Sequence, residues 1–167
     1  KLTDDIYLND VKNSNWEKNN PNSWFWVSGA RTGNFNGHFD GDGHVVYGLY
    51  LDLKQTTDVV YAGLFPSISD GTVIERVGIA NAHMKVRSEL TKTESYVGGL
   101  AGYVFFNKAD STYVDTPVVF PKISQCFGDK TVTLEGDFCG GIVAGAPRPA
   151  DISDCYFIGK LNGERVG

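Results

Sequence analysis

Long apolar runs are missing from this sequence: no stretch of 18 apolar residues occurs, so no helix built from it would span a bilayer. Basic clusters are missing as well. Lys and Arg number 15 against 20 Asp and Glu, a net charge of −5, which argues against a surface made to neutralise nucleic-acid phosphates. Cysteine is scarce and odd in number. Cys126, Cys139 and Cys155 do not make a disulfide framework. No His or further Cys stands at ligand spacing, so no metal or other cofactor is expected. No window has helical period, and no signal peptide opens the chain at Lys1-Leu2-Thr3. Both ends are expected to be cuts in a longer protein, with any targeting signal and any partner domains of the parent chain outside the sequence.

What the sequence has in abundance is glycine, 20 residues in 167, together with 13% aromatic and 41% hydrophobic residues. The glycines fall in a returning cassette. Tyr96-Val97-Gly98-Gly99-Leu100-Ala101-Gly102 has an upstream copy in Tyr61-Ala62-Gly63-Leu64-Phe65 and a downstream copy in Phe138-Cys139-Gly140-Gly141-Ile142-Val143-Ala144, and Arg165-Val166-Gly167 opens a fourth. A second cassette follows each of the first three: Val73-Ile74-Glu75-Arg76-Val77-Gly78, Lys122-Ile123-Ser124-Gln125-Cys126-Phe127 and Asp151-Ile152-Ser153-Asp154-Cys155-Tyr156. The aligned glycines 63, 98, 140 and 167 are unevenly spaced because polar segments 87–95 and 105–121 are inserted. Without those insertions the unit is about 24–27 residues, too short to close a core singly, so successive units must stack.

The expected fold is all-β, a right-handed parallel β-helix-like solenoid of about four to five coils with loop insertions, forming one module over 1–167. Residues 1–60 would be amino-terminal capping coils with a Trp-rich loop, and 61–167 the Gly-Gly repeats. Inward ladders are expected from Leu49, Leu64, Leu100 and Ile142 and from Ile74, Ile123 and Ile152, with Val77, Cys126 and Cys155 beside them. In a parallel stack Cys126 and Cys155 would lie about 4.8 Å apart, within reach of a bridge but pointing the same way, as stacked thiols would.

Along the chain, residues 2–8 read as a first strand and 9–22 as a polar loop carrying Trp16. Trp24-Phe25-Trp26-Val27 reads as a short strand with both tryptophans on one face. The line from Phe35 to Leu51 is the most distinctive: Phe35-Asn36-Gly37-His38-Phe39-Asp40-Gly41-Asp42-Gly43-His44-Val45-Val46-Tyr47-Gly48-Leu49. With the cassettes that follow it, this line resembles the GLUG-type repeat regions of large bacterial surface and secreted proteins, including the amino-terminal parts of some IgA-cleaving metallopeptidases and adhesin-like proteins of gut bacteria. The resemblance covers residues 2–167. It departs at Pro66-Ser67, where a Gly-aromatic pair is usual, and at Ala144, where a glycine is usual. It implies an extracellular or bacterial cell-surface location and a non-catalytic role in adhesion, in binding a polysaccharide or host glycoprotein, or as a stalk.

Two constellations carry chemistry. Asp40 and Asp42, with His44 and Asp52 near them, are the candidates for an acid/base pair in a polysaccharide-cleaving enzyme. On an extended chain their carboxylates would lie roughly 7 Å apart, inside the range such chemistry uses. The same Asp-Gly-Asp-Gly-His run equally suits a tight turn, with Asp capping amides and Gly taking positive φ. Trp16, Trp24 and Trp26, with Tyr7, Tyr47 and Tyr50, are the candidate ligand platform, since sugar rings stack on flat aromatic faces; Trp16 is expected to be the most exposed. The other reading of these tryptophans is that they cap the first coil. Residues 114–120, apolar for a loop, either fold back on the coil or face a partner.

Overall fold

The computed structural model describes residues 1–13, 15–24, 33–55, 59–88, 94–105, 119–147 and 149–167. These residues form short strands and one 3-10 turn. After β1 (Ile6–Tyr7) and the turn Trp16–Lys18, the chain makes a first passage through β2 (His38–Asp40), β3 (Val45–Tyr47), β4 (Tyr50–Gln55), β5 (Val59–Ala62) and β6 (Phe65–Ile68). A second passage runs through β7 (Val73–Glu75), β8 (Gly78–Ala80), β9 (His83–Ser88), β10 (Glu94–Gly98) and β11 (Ala101–Val104). The third consists of β12 (Lys122–Ser124), β13 (Phe127–Gly128), β14 (Thr133–Glu135), β15 (Phe138–Gly140) and β16 (Val143–Gly145), and the fourth of β17 (Asp151–Ser153), β18 (Tyr156–Phe157), β19 (Lys160–Asn162) and β20 (Arg165–Val166). The fold is all-β, with parallel sheets.

Five sheets result; each takes one strand from each of the first three passages, and four of them take one from the fourth. Their orders are β2-β7-β12-β17, β1-β3-β8-β13-β18, β4-β9-β14-β19, β5-β10-β15-β20 and β6-β11-β16. The registers are parallel throughout, so a residue in one passage lies beside its counterpart in the next. Strands of two to six residues cannot stand alone in water. Here their backbone groups pair with those of neighbouring passages, and the same register puts like side chain over like.

The second cassette builds the clearest ladder. Phe39, Ile74, Ile123 and Ile152 are register partners in order, and Ile74 and Ile123 are fully buried. The residue after the next, Arg76, Gln125 or Asp154, turns the corner at φ 55, 55 and 53. Arg76 and Gln125 donate their corner amides to Ser124 and Ser153 of the following passage. Val77 and Cys126 then face the core, with Cys155 half-buried after them. Leu51, Met84, Leu134 and Leu161 form a second ladder, and Ala62, Val97, Cys139 and Val166 a third.

The Gly-Gly cassette is explained by close backbone approach. A Cβ at Gly98 would overlap the Ala101 carbonyl, and one at Gly140 the Val143 carbonyl, so the turn into the last sheet has room only for glycine. Gly128 has a different reason. It leaves the space that Phe157 of the next passage fills, a Cβ there lying 2.7 Å from Phe157 Cε2.

Leu49 departs from the expected ladder. Leu64, Leu100 and Ile142 do precede register-matched strands, but Leu49 precedes β4, where its counterparts are Ala82 and Val132. His83 donates to the Leu49 carbonyl and Thr133 to that of Ala82. Gly48-Leu49 and Gly63-Leu64 share a dipeptide, yet the hydrogen bonds assign them to two different positions. Of the strand read at residues 24–27 only Trp24 lies among the described residues, and residues 114–118 lie outside them. Most of insertion 87–95 is also outside, although β9 continues through Ser88 and β10 starts at Glu94.

Replacing Ile123 by Ala should lower unfolding free energy by about 2–5 kcal/mol, as for other fully buried aliphatic truncations. Ile152→Ala, at the half-exposed end of the same ladder, should cost less than about half as much. Urea titrations of the two variants check this, and equal costs would contradict the ladder.

Candidate functional site

The turn after β2 carries the two candidate carboxylates. Elsewhere two residues link this sheet to the next, but between β2 and β3 there are four, Gly41, Asp42, Gly43 and His44. Asp42 and Gly43 adopt φ 50 and 89, and a Cβ on Gly41 would stand 2.5 Å from that of Val77. The chain therefore bends at Asp42 rather than running extended, and the spacing inferred from an extended strand does not apply. Asp40 Oδ1 accepts the Asp42 amide at 2.8 Å, and its Oδ2 accepts Arg76 Nη2 at 2.5 Å. Asp42 meets Arg76 Nη1 at 3.2 Å through Oδ1 and Lys1 Nζ at 2.9 Å through Oδ2.

Each of the other members of that constellation is engaged too. Asp52 pairs with Arg87. His44 Nδ1 lies 3.3 Å from Asp5 Oδ1, which also accepts the Val45 amide at 2.9 Å. The Asp42 amide, followed by Arg76 and Lys1, holds the Asp40 carboxyl below its ordinary value, against the opposing pull of desolvation. A general acid needs to keep its proton near working pH, whereas Asp40 is held as a carboxylate. The arrangement locks a turn and pins the amino-terminal segment over the first passage. Among the described residues no group of three or more His, Cys, Asp or Glu side chains is placed to hold a metal ion.

The candidate platform divides. Trp16 is 6% exposed, lying edge-on to Tyr50 with ring centroids 6.0 Å apart, so the expectation that it is the most exposed of the set is corrected. The physical reason is that the indole packs against Tyr50 of β4 instead of facing solvent. Trp24 is half-buried against the core and donates its amide to the Tyr50 carbonyl at 2.7 Å. Trp26 lies outside the described residues. Tyr50 in turn stacks on His83 of the second passage at 5.9 Å.

An asparagine clip fastens this amino-terminal segment. Asn9 Nδ2 donates to the carbonyls of Gly48 at 2.7 Å and Asn22 at 3.0 Å, and its Oδ1 accepts the Asn22 amide at 2.7 Å. Gly48 sits at φ 76 with Asn9 directly against it. From the same segment Tyr7 projects outward, 62% exposed, its ring parallel to that of Tyr47 at 4.8 Å with 7° between planes. One face of Tyr7 is covered by Tyr47, so its exposure belongs to the other face and the edge.

A further aromatic feature was not singled out from sequence. Tyr61, Tyr96, Phe138 and Arg165 are register partners and stack in a column: centroids of Tyr61 and Tyr96 lie 5.6 Å apart, Tyr96 and Phe138 4.5 Å, and Arg165 covers Phe138 at 4.9 Å. Tyr103 and Phe105 pack beside it. The signal was present in the first residue of each glycine cassette. Its rings are mutually packed and partly buried, as a satellite core would be.

The cysteines are free thiols. Cys126 Sγ donates to the Ser124 carbonyl at 3.1 Å, and Cys155 Sγ repeats the contact with Ser153 at 3.2 Å. Burial pushes the Cys126 thiol up to about 12 and Cys139 up to about 11. Comparison of the chain with protein-family models, with curated proteins and with solved structures returns no match.

Two outcomes follow from this geometry. The Asp40 value in the fold lies below its ordinary 3.8, so the carboxylate stabilises the protein above about pH 4 and loses that contribution as pH falls through the depressed value. In acid titrations Asp40→Asn should lower stability at neutral pH and flatten the acid limb; an unchanged limb would exclude the turn lock. Cys126 and Cys139 should resist Ellman's reagent at pH 8 in the folded protein and react once it is unfolded. Rapid labelling of all three thiols in the folded state would contradict their burial.

Proposed function

We propose that the parallel sheets are the faces of a right-handed β-helix-like solenoid, and that the chain is a non-catalytic, GLUG-type module of a bacterial cell-surface or secreted protein that binds a polysaccharide or host glycoprotein. The observation that carries the binding role is the open face of Tyr7, backed by Tyr47, beside a loop rich in amide side chains between Asn9 and Asn22. Sugar rings present apolar C–H faces ringed by hydroxyls. A rigidly backed phenol meets the first, and carboxamides and carboxylates meet the second.

The solenoid reading is supported by the fixed order in which the passages visit the five sheets and by their parallel registers. The engagement of Asp40 and Asp42 by Arg76 and Lys1 favours binding over cleavage. Affinity electrophoresis against a panel of plant, bacterial and mucin-type glycans tests the proposal, with reducing-end release measured in parallel. Retardation by at least one neutral glycan is expected, without release. Tyr7→Ala should weaken binding about twofold to twelvefold, the worth of one stacked ring at roughly 0.5–1.5 kcal/mol. Release of reducing ends would overturn the non-catalytic assignment, and silence across the panel would leave the stalk role.

A further inference from the structure

The sheet that begins β1-β3-β8-β13 turns alternate residues outward. Ile6, Val46 and Ile79 are register partners that pack into the core, so the residues that follow them, Tyr7, Tyr47 and Ala80, form an outward column. Asp129 continues it, since its amide donates to the Ile79 carbonyl. Asp5 stands two residues before Tyr7 and therefore on the same face, with its Oδ1 accepting the Val45 amide of β3 at 2.9 Å. A stacked phenol pair thus has one carboxylate beside it and another further down the column.

These two acids differ from others of the stack in their partners. Asp40, Asp42, Asp52 and Glu135 each pair with an Arg or Lys. Asp5 has only His44 Nδ1 at 3.3 Å beside the Val45 amide, and Asp129 Oδ1 accepts the Thr131 amide at 2.8 Å and its hydroxyl at 2.5 Å. Among the described residues no Lys or Arg forms an ion pair with either. Burial, followed by Asp5, Tyr7 and Asp129, raises the Tyr47 hydroxyl above its ordinary value, so the field of both carboxylates reaches the backing ring.

We infer that the ligand of the Tyr7 face is an amine-bearing glycan, one containing hexosamine with free amino groups, and that Asp5 selects it. The inference rests on the glycan-binding reading above and narrows it to a substrate class. An ammonium is attracted to the open face of a phenol by the ring quadrupole, and a neighbouring carboxylate supplies its counter-charge together with a hydrogen bond. Neutral sugars keep the stacking contact alone. Uronates and sulfated sugars meet like charge.

The spacing suits such a ligand. Two residues along an extended strand place Asp5 and Tyr7 about 7 Å apart, close to the reach of a pyranose ring with one equatorial substituent. A sugar stacked on Tyr7 can therefore turn an amino group towards Asp5. Asp129, on the same column, extends the preference to a neighbouring unit of a longer chain.

Chemical-shift titrations of isotopically labelled protein at pH 6 and low salt test this, with a glucosamine tetramer, its N-acetylated counterpart and a galacturonate tetramer as probes. The amino tetramer should bind roughly twofold to fivefold more tightly than the acetylated one, the range of one exposed ion pair, and the galacturonate tetramer should cause no shifts. Asp5→Asn keeps the acceptor for the Val45 amide and should bring the amino tetramer down to the affinity of the acetylated one. Asp154→Asn makes the same charge change in the turn after β17 and should leave the preference intact. Equal affinities for the two tetramers, both weakened by Tyr7→Ala, would overturn the amine preference while the glycan-binding reading stands. A preference untouched by Asp5→Asn and Asp129→Asn would trace it to the net charge of −5 and overturn the site. A tetralysine peptide bound as tightly as the amino tetramer would overturn the sugar as ligand. No shifts with any tetramer would remove the glycan-binding reading as well.

Discussion

The described strands all depend on parallel pairing with a neighbouring strand of the stack. Among the described residues no strand is longer than six residues, and many have two or three, so no single passage holds enough backbone pairing or apolar area to stand alone. Stacking supplies both at once. The register that satisfies the amides also puts Ile74 over Ile123 and Met84 over Leu134, and so the core is a set of ladders rather than a set of facing layers. Corners obey the same condition: Arg76 and Gln125 tolerate left-handed backbone there while their amides remain in the ladder.

Much of this was legible in the sequence because a stacked repeat writes its register as recurrence. The cassettes around Ile74, Ile123 and Ile152 fall into alignment by inspection, and the structure places them as register partners. The misreadings come where recurrence is not the governing physics. Leu49 reads as a ladder partner of Leu64, Leu100 and Ile142, although its passage-to-passage hydrogen bonds group it with Ala82 and Val132. Phe39 belongs over Ile74, a pairing hidden by the change of residue and by the two extra residues in the turn that follows. The match of Gly128 to Phe157 is complementary rather than repetitive, so no search for likeness would find it.

The candidate site was partly legible for the same reason. Residue types suited to sugar stacking were visible near the amino end, but which ring faces solvent depends on what each ring packs against, a question of tertiary geometry. Trp16 packs against Tyr50 and is buried, while Tyr7 on the edge strand remains open. The acidic motif shows the converse. Asp40 and Asp42 look like a catalytic pair on an extended chain, but a turn with Asp42 at positive φ directs both to Arg76.

The most direct test of the central claim is a set of cross-strand nuclear Overhauser contacts measured on isotopically labelled protein. Parallel stacking predicts interstrand amide-to-α-proton contacts that link Phe39 to Ile74, Ile74 to Ile123 and Ile123 to Ile152 in one series, with a second series through Leu51, Met84, Leu134 and Leu161. Close α-proton-to-α-proton contacts, the mark of antiparallel pairing, or contacts displaced by one residue along either series, would contradict it.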